Sequence, residues 1–202
     1  MIENAMKEKM MMVFVLVTVS IASALMLAGI NDLSYDVIKM NKERKLKVAV
    51  LSALNIPFGN GEAEEVFSGS IKKINTPEGP IYLSTDDRQK GLAFSAKGSG
   101  FWGPIVIMIG IDPQTLTIKG VEILQQEETP GLGARIEEEW FRNQFKGKSM
   151  DIPIRMMIKG AKPGPNDVKA VSGATLSSKF VEEIINEKSK PLIEAMRRLD
   201  LD

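Results

Sequence analysis

The 202-residue sequence contains no cysteine and no histidine. Without cysteine there is no disulfide framework, no thiolate nucleophile and no iron–sulfur cluster held by thiolates. Without histidine a zinc site would need carboxylates alone, and Ser-His-Asp catalysis and axial haem ligation by imidazole are excluded. A surplus of charge is also missing. Lys+Arg is 26 and Asp+Glu is 26, for a formal net charge of zero. A nucleic-acid partner is therefore not expected, because such binders carry a basic surplus. Aromatic residues make up only 6%, with two tryptophans, yet apolar residues reach 44%, enough for a packed core.

Met10 to Ile30 reads MMMVFVLVTVSIASALMLAGI, without a charge. At about 1.5 Å per residue this run covers about 31 Å, the thickness of a bilayer's hydrocarbon core. It reads as a transmembrane helix over 10–30, with 1–9 as a short N-terminal tail and 31–202 as one further domain. A secretory signal peptide is the competing reading. Lys7 and Lys9 supply a basic start and Ala22-Ser23-Ala24 a small-x-small pattern. The apolar run continues beyond that pattern through Leu25 to Ile30, which favours a retained anchor. Lys7 and Lys9 against Asp32 and Asp36 favour the N-terminus inside, whereas Lys39, Lys42, Arg44 and Lys45 pull the other way. Charge alone leaves the orientation open.

Past the span, Lys39 to Ile56 reads as a helix with Leu46, Val50 and Leu54 on one face, ended by Pro57 to Gly61. Glu62 to Lys72 reads as a second helix, with Ala63, Val66 and Phe67 on one side. Strands are expected over 80–84 and 91–96. Ile105 to Ile111 and Leu116 to Leu124 flank Asp112-Pro113-Gln114-Thr115, a turn with proline at its favoured second position, so they form an antiparallel hairpin. Arg135 to Phe145 is expected as a helix with Ile136, Trp140 and Phe145 inward. A last strand is expected over 154–158. Thr175 to Arg198 is expected as a helix interrupted near Pro191. Strands and helices do not alternate regularly, so the fold class is α+β.

Three segments could carry chemistry. Glu128-Thr129-Pro130-Gly131-Leu132-Gly133 places a polar pair before two glycines, which let a planar ligand approach the backbone. It is not a dinucleotide fingerprint, since Ile136 occupies the third glycine position; the plain alternative is a tight turn. Val171-Ser172-Gly173-Ala174-Thr175 opens the last helix. The unpaired N–H groups and dipole of a helix start favour phosphate, although Ser172 could equally be an ordinary cap. Gly98-Ser99-Gly100-Phe101-Trp102-Gly103-Pro104 is a glycine-rich bend whose tryptophan could stack on a flat ring or pack into the core.

Together these segments resemble a known family. The N-terminal span, GSGFWGPI from Gly98, EETPGLGARI from Glu127, WFRNQFKGK from Trp140 and VSGATLSS from Val171 are similar to the flavin-binding G subunit of Rnf ion-translocating ferredoxin:NAD oxidoreductases. They are nearly as similar to the C subunit of sodium-translocating NADH:quinone oxidoreductases. Both carry an FMN-binding domain. The resemblance implies FMN joined covalently through its phosphate to Thr175, with Ser172, Gly173 and Ala174 around the attachment point. It also implies that Trp102, Glu128, Thr129 and Leu132 lie against the isoalloxazine ring, with Glu128 hydrogen bonding to it, and that Gly133 belongs to the cofactor site. A separate flavin transferase, using FAD as donor, makes the phosphoester. Its usual target has Asp three residues before the Ser; here Lys169 stands there, with Asp167 two residues earlier.

The function so implied is electron relay within a membrane-bound ion-translocating oxidoreductase, with the other subunits of that complex as partners. A chain without His or Cys must take its redox chemistry from an organic cofactor. Catalysis by this chain alone is not expected, nor a metal site. The location implied is the inner (cytoplasmic) membrane, single-pass, with the flavin domain extracytoplasmic, where the transferase acts. The rivals are a stand-alone flavoprotein reductase and an anchored assembly module without cofactor.

Overall fold

The computed structural model describes residues 2–86, 89–157 and 163–198. The chain forms two compact units, residues 1–43 and 44–202. The described residues of the first all belong to α1 (Ile2–Ala53), whose last residues are part of the second unit. Met10, Phe14, Leu16, Leu25 and Leu27 are all exposed on α1. Among the described residues this is the one helix long and apolar enough to cross a membrane.

The second unit is built on a five-stranded antiparallel meander: β1 (Ile71–Thr76), β2 (Gly79–Ser84), β3 (Leu92–Ser99), β4 (Pro104–Asp112) and β5 (Thr117–Gln125), hydrogen-bonded in that order. Period-two alternation divides its residues between two cores. Ile81, Leu92, Phe94, Ile105, Ile107, Ile109 and Ile111 point to one face, while Tyr82, Ala93 and Met108 point to the other. A register shift between Gly110 and Ile111 leaves Lys119 outside the ladder, so Ile118 and Val121 share a face although three residues apart. Each fully buried isoleucine contributes about 1.5–3 kcal/mol.

The first face is covered by a 3-10 turn (Gly133–Glu137), α3 (Glu139–Asn143) and α4 (Thr175–Arg198). β6 (Arg155–Met157) and β7 (Asp167–Lys169) add a small parallel pair beside α4. Gly98 admits α4, since a Cβ there would lie 2.4 Å from Ile184 Cγ1. The opposite face is covered by the end of α1 and by α2 (Ala63–Ser70). Here the approach is backbone to backbone: a Cβ on Gly110 would lie 2.2 Å from the Ala53 carbonyl oxygen. Asn55, at φ 57°, then donates from Nδ2 to the Lys119 carbonyl that the bulge frees (2.8 Å).

The α+β class and the Pro113 hairpin agree with the sequence reading. Asp112 Oδ1 closes that hairpin by accepting from the N–H groups of Gln114 and Thr115 (2.8 and 3.1 Å). Other expectations need correction. The helix from Glu62 stops at Ser70, and Ile71–Thr76 is an edge strand. The Arg135–Phe145 helix is broken at Glu138, which is extended (φ −63°, ψ 139°) and bound through both oxygens to Arg135. That contact, with the Trp140 indole N–H also donating to Glu138, holds the carboxyl below the usual carboxylate range. The break turns Trp140 outward to 43% exposure, while Ile136 and Phe145 are buried. α4 runs through Pro191 without interruption. In the strand expected over 154–158, Ile158 lies outside the described residues.

Candidate functional site

The bend between β3 and β4 is closed by the Gly100 N–H donating to the Gly103 carbonyl (2.8 Å). Phe101 and Trp102 form its tip, edge to face with centroids 5.3 Å apart. Both stand out, 55% and 67% exposed. Apolar rings this open are available to a flat partner.

Glu128, which follows β5, is buried beneath this tip. Its Oε1 accepts from the N–H groups of Phe101 (2.7 Å) and Trp102 (3.4 Å). Its Oε2 accepts from the Ser177 hydroxyl (2.7 Å). One carboxyl group therefore joins the aromatic bend, the ETPGLG turn and the first turn of α4. Glycines make the room. A Cβ on Gly100 would lie 2.5 Å from Glu128 Oε1, and one on Gly133 would lie 2.6 Å from Ser177 Oγ. The turn is closed by the N–H groups of Leu132 and Ala134 donating to the Thr129 carbonyl (3.1 Å each), with Gly131 at φ +74°.

α4 begins after Gly173 at φ +81°, a conformation that favours glycine. Ala174 N–H donates back to the Val171 carbonyl (3.0 Å). Ser178 is buried; its hydroxyl accepts from Val171 N–H (2.9 Å) and donates to the Ala174 carbonyl (3.0 Å), which fixes the entry. Thr175, the first helical residue, is exposed, and its hydroxyl has no hydrogen-bond partner among the described residues. The next N–H groups of a helix start have no intrahelical acceptor. Leu132 Cδ2 lies 3.6 Å from where a Cβ of Gly173 would be, so the ETPGLG turn meets the SGAT turn directly.

The three segments singled out in the sequence thus come together. Trp102, Thr129, Leu132, Ser172, Gly173 and Thr175 are exposed around the junction; Glu128, Gly133 and Ala174 are buried beneath it. Two further groups complete the junction without any motif that marks them, the Ser177 hydroxyl and the Phe101 amide. Ser177 lies two residues after Thr175, which on a helix puts it on nearly the opposite face. Its partner is distant in sequence, so only the fold reveals it.

A cavity of about 730 Å³ borders the aromatic bend, lined by Lys97 to Pro104 and Lys188. A second, of about 460 Å³, lies apart from the three motifs, between β6, β7 and α4. At its edge Arg155 makes two hydrogen bonds to Asp167 (3.0 and 2.8 Å), and Gly164 N–H adds a third (2.7 Å). The Arg155 guanidinium, and then the Gly164 amide, hold the Asp167 carboxyl below its ordinary range.

Residues 100–189 match the FMN-binding domain family. The chain is homologous to two kinds of protein. The C subunit of the Na(+)-translocating NADH-quinone reductase of Yersinia pestis is 37% identical over 127 residues, 59% of this chain and 47% of that protein. The G subunit of the Na(+)-translocating ferredoxin:NAD(+) oxidoreductase complex of Acetobacterium woodii is 37% identical over 89 residues, 44% of this chain and 42% of that protein. The chain spans about half the length of the curated relatives it matches. Among solved structures, NqrC of Shewanella oneidensis has the same fold (TM-score 0.67, 23% identity, 77% of this chain and 99% of that one). The corresponding C subunit of the Na(+)-translocating NADH-quinone reductase from Parabacteroides distasonis superposes with TM-score 0.66 at 29% identity, over 77% of this chain and 93% of that one.

The junction fits FMN chemically. An exposed hydroxyl and unpaired helix-start donors suit a phosphate. The open faces of Trp102 and Leu132 suit an apolar ring.

Proposed function

We propose that the protein is the flavin-carrying electron-transfer subunit of a membrane-bound, ion-translocating oxidoreductase complex, with FMN held as a phosphoester on Thr175. The observation that carries this reading is the exposed, unpartnered Thr175 hydroxyl at a helix start whose preceding turn meets Leu132.

FMN, when bound, supplies the reversible electron transfer that this reading requires. The protein's own residues tether, orient and cover. Attachment joins Thr175 Oγ1 to the phosphorus of the FMN half of FAD; the pyrophosphate bond breaks, AMP leaves, and the hydroxyl proton is lost. A flavin transferase performs this step. Ser172, Gly173 and Ala174 leave room around the new ester. Trp102, Thr129 and Leu132 would lie against the ring; Glu128, expected to hydrogen-bond to it, is instead buried with both oxygens engaged by the Phe101 and Trp102 amides and the Ser177 hydroxyl, and with Gly133 it supports them from behind. This reading divides the chain into a tail over 1–9, a membrane span over 10–30 and a flavin domain over 31–202, of which the compact unit is residues 44–202, with α1 running on from the span into it. The flavin domain faces the extracytoplasmic side of the cytoplasmic membrane, where a dissociable flavin would be lost and a tethered one is kept. Ion movement belongs to the other subunits.

Homology to both kinds of relative supports two versions of this reading, a ferredoxin:NAD-linked and a quinone-reducing complex. Purification from native membranes separates them: iron–sulfur subunits that accept from ferredoxin identify the first, a quinone-reducing set the second. The shared reading is tested by in-gel fluorescence after denaturation. Yellow-green emission should migrate with the wild-type chain and vanish in Thr175→Ala. A dark wild-type band, from cells with active transferase, would contradict it. Protease added to intact spheroplasts should remove the flavin domain; protection would reverse the orientation.

A further inference from the structure

We propose that Ser177 and Glu128 form a positioning strut that sets the aromatic bend against the flavin, so that the helix carrying the tether also fixes what covers the ring. This rests on FMN being attached at Thr175. Thr175 and Ser177 lie on opposite sides of one helical turn: the first is exposed, the second buried. The buried hydroxyl donates to Glu128 Oε2 at 2.7 Å, and Glu128 Oε1 accepts from the backbone of Phe101 and Trp102. The chain of contacts runs from the tether's helix to the indole's own backbone through one carboxyl group.

Three further features show that this connection is built into the fold. Gly100 and Gly133 each lack the Cβ that would collide with it. The Glu128 N–H is itself held, donating to Gln126 Oε1 (2.6 Å). The bend is otherwise closed by the Gly100–Gly103 bond, with both aromatic side chains exposed. A carboxyl group this deep is costly unless hydrogen-bonded, and all three of its bonds are spent on joining segments distant in sequence. Removing the Ser177 hydroxyl leaves Glu128 held on one side only, free to tilt and carry Trp102 with it. Glu128→Gln retains the geometry: its carbonyl still accepts from the two amides, and its NH2 donates to the Ser177 oxygen, which is an acceptor as well as a donor.

The test uses full-length protein co-expressed with a flavin transferase, with intact mass recorded for each variant. Trp102→Ala defines the flavin emission expected when the indole no longer quenches it. Ser177→Ala should keep the FMN mass and raise emission from the wild-type level toward that of Trp102→Ala. Glu128→Ala should do the same, and Glu128→Gln should restore the wild-type level. In transferase-free protein, amide hydrogen exchange at Phe101 should quicken in Ser177→Ala and Glu128→Ala and stay slow in Glu128→Gln. That measurement needs no flavin and no activity. Should Ser177→Ala fail to fold, the Glu128→Gln comparison alone decides: fast Phe101 exchange in that variant overturns the strut. So does a flavin-loaded Ser177→Ala with wild-type emission and slow Phe101 exchange. Wild-type protein without the FMN mass would instead overturn the tether at Thr175, leaving the exchange result to judge the strut.

Discussion

The two faces of the central sheet meet their helices in different ways. On the face that carries α4, contact is made by side chains: a row of isoleucines from β4, with Phe141, Phe145, Val181 and Ile184 packed over it. On the other face the sheet offers Ala93, Gly110 and Gly120, and the end of α1 settles with its Ala53 carbonyl almost on the strands. Side-chain packing tolerates adjustment through rotamers; backbone on backbone does not. The difference teaches where each face is vulnerable. The first should suffer from lost volume, the second from added volume.

Phe141→Ala should have the largest effect. Phe141 is fully buried, edge-on to Phe145 at 5.4 Å and to Trp140 at 5.9 Å. Its loss should cost about 3–5 kcal/mol in chemical denaturation. Gly110→Ala comes next, at about 1–3 kcal/mol, because only backbone can yield. Gly98→Ala should cost less, since its obstacle is the Ile184 side chain, which can rotate. A Gly98→Ala protein less stable than Gly110→Ala would break the comparison. Asn55→Ala removes the hydrogen bond that latches the end of α1 to the bulge and should cost about 1 kcal/mol.

The smallest effect is a pH dependence. Arg155 and the Gly164 amide lower the Asp167 pKa in the folded state. The stability this brings is present above the unfolded carboxylate pKa and is lost as pH falls through the folded one. Thermal melts of Asp167→Asn should therefore fall below wild type at neutral pH and converge with it in acid.

Much of this architecture is readable from short-range pattern. Isoleucines at alternate positions give β4, Pro113 after Asp112 gives the hairpin, and the SGAT turn marks the start of α4. What escapes the sequence depends on partners far along the chain. Ile71–Thr76 has little apolar contrast and becomes a strand because β2 pairs with it. Asp167–Lys169 is a strand only beside Arg155–Met157. Trp140 reads as inward while 135–145 is taken as one helix, and Glu138 breaks that period through its contacts with Arg135 and Trp140. Pro191 sits within α4 although proline costs a helix a hydrogen bond. At the site, the three segments are visible as motifs, but the Glu128–Ser177 contact that joins them spans 49 residues. Local pattern does not encode which buried hydroxyl a carboxyl will meet.

Intact-mass spectrometry of the chain, purified from membranes of its own host, tests the central claim most directly. The wild-type protein should exceed its sequence mass by one FMN less one water, with the increment mapped to the peptide containing Thr175. Thr175→Ala should match its bare sequence mass while melting at the wild-type temperature, as an exposed substitution does. A native chain at its bare mass, or a flavin that stays attached in Thr175→Ala, would contradict the account.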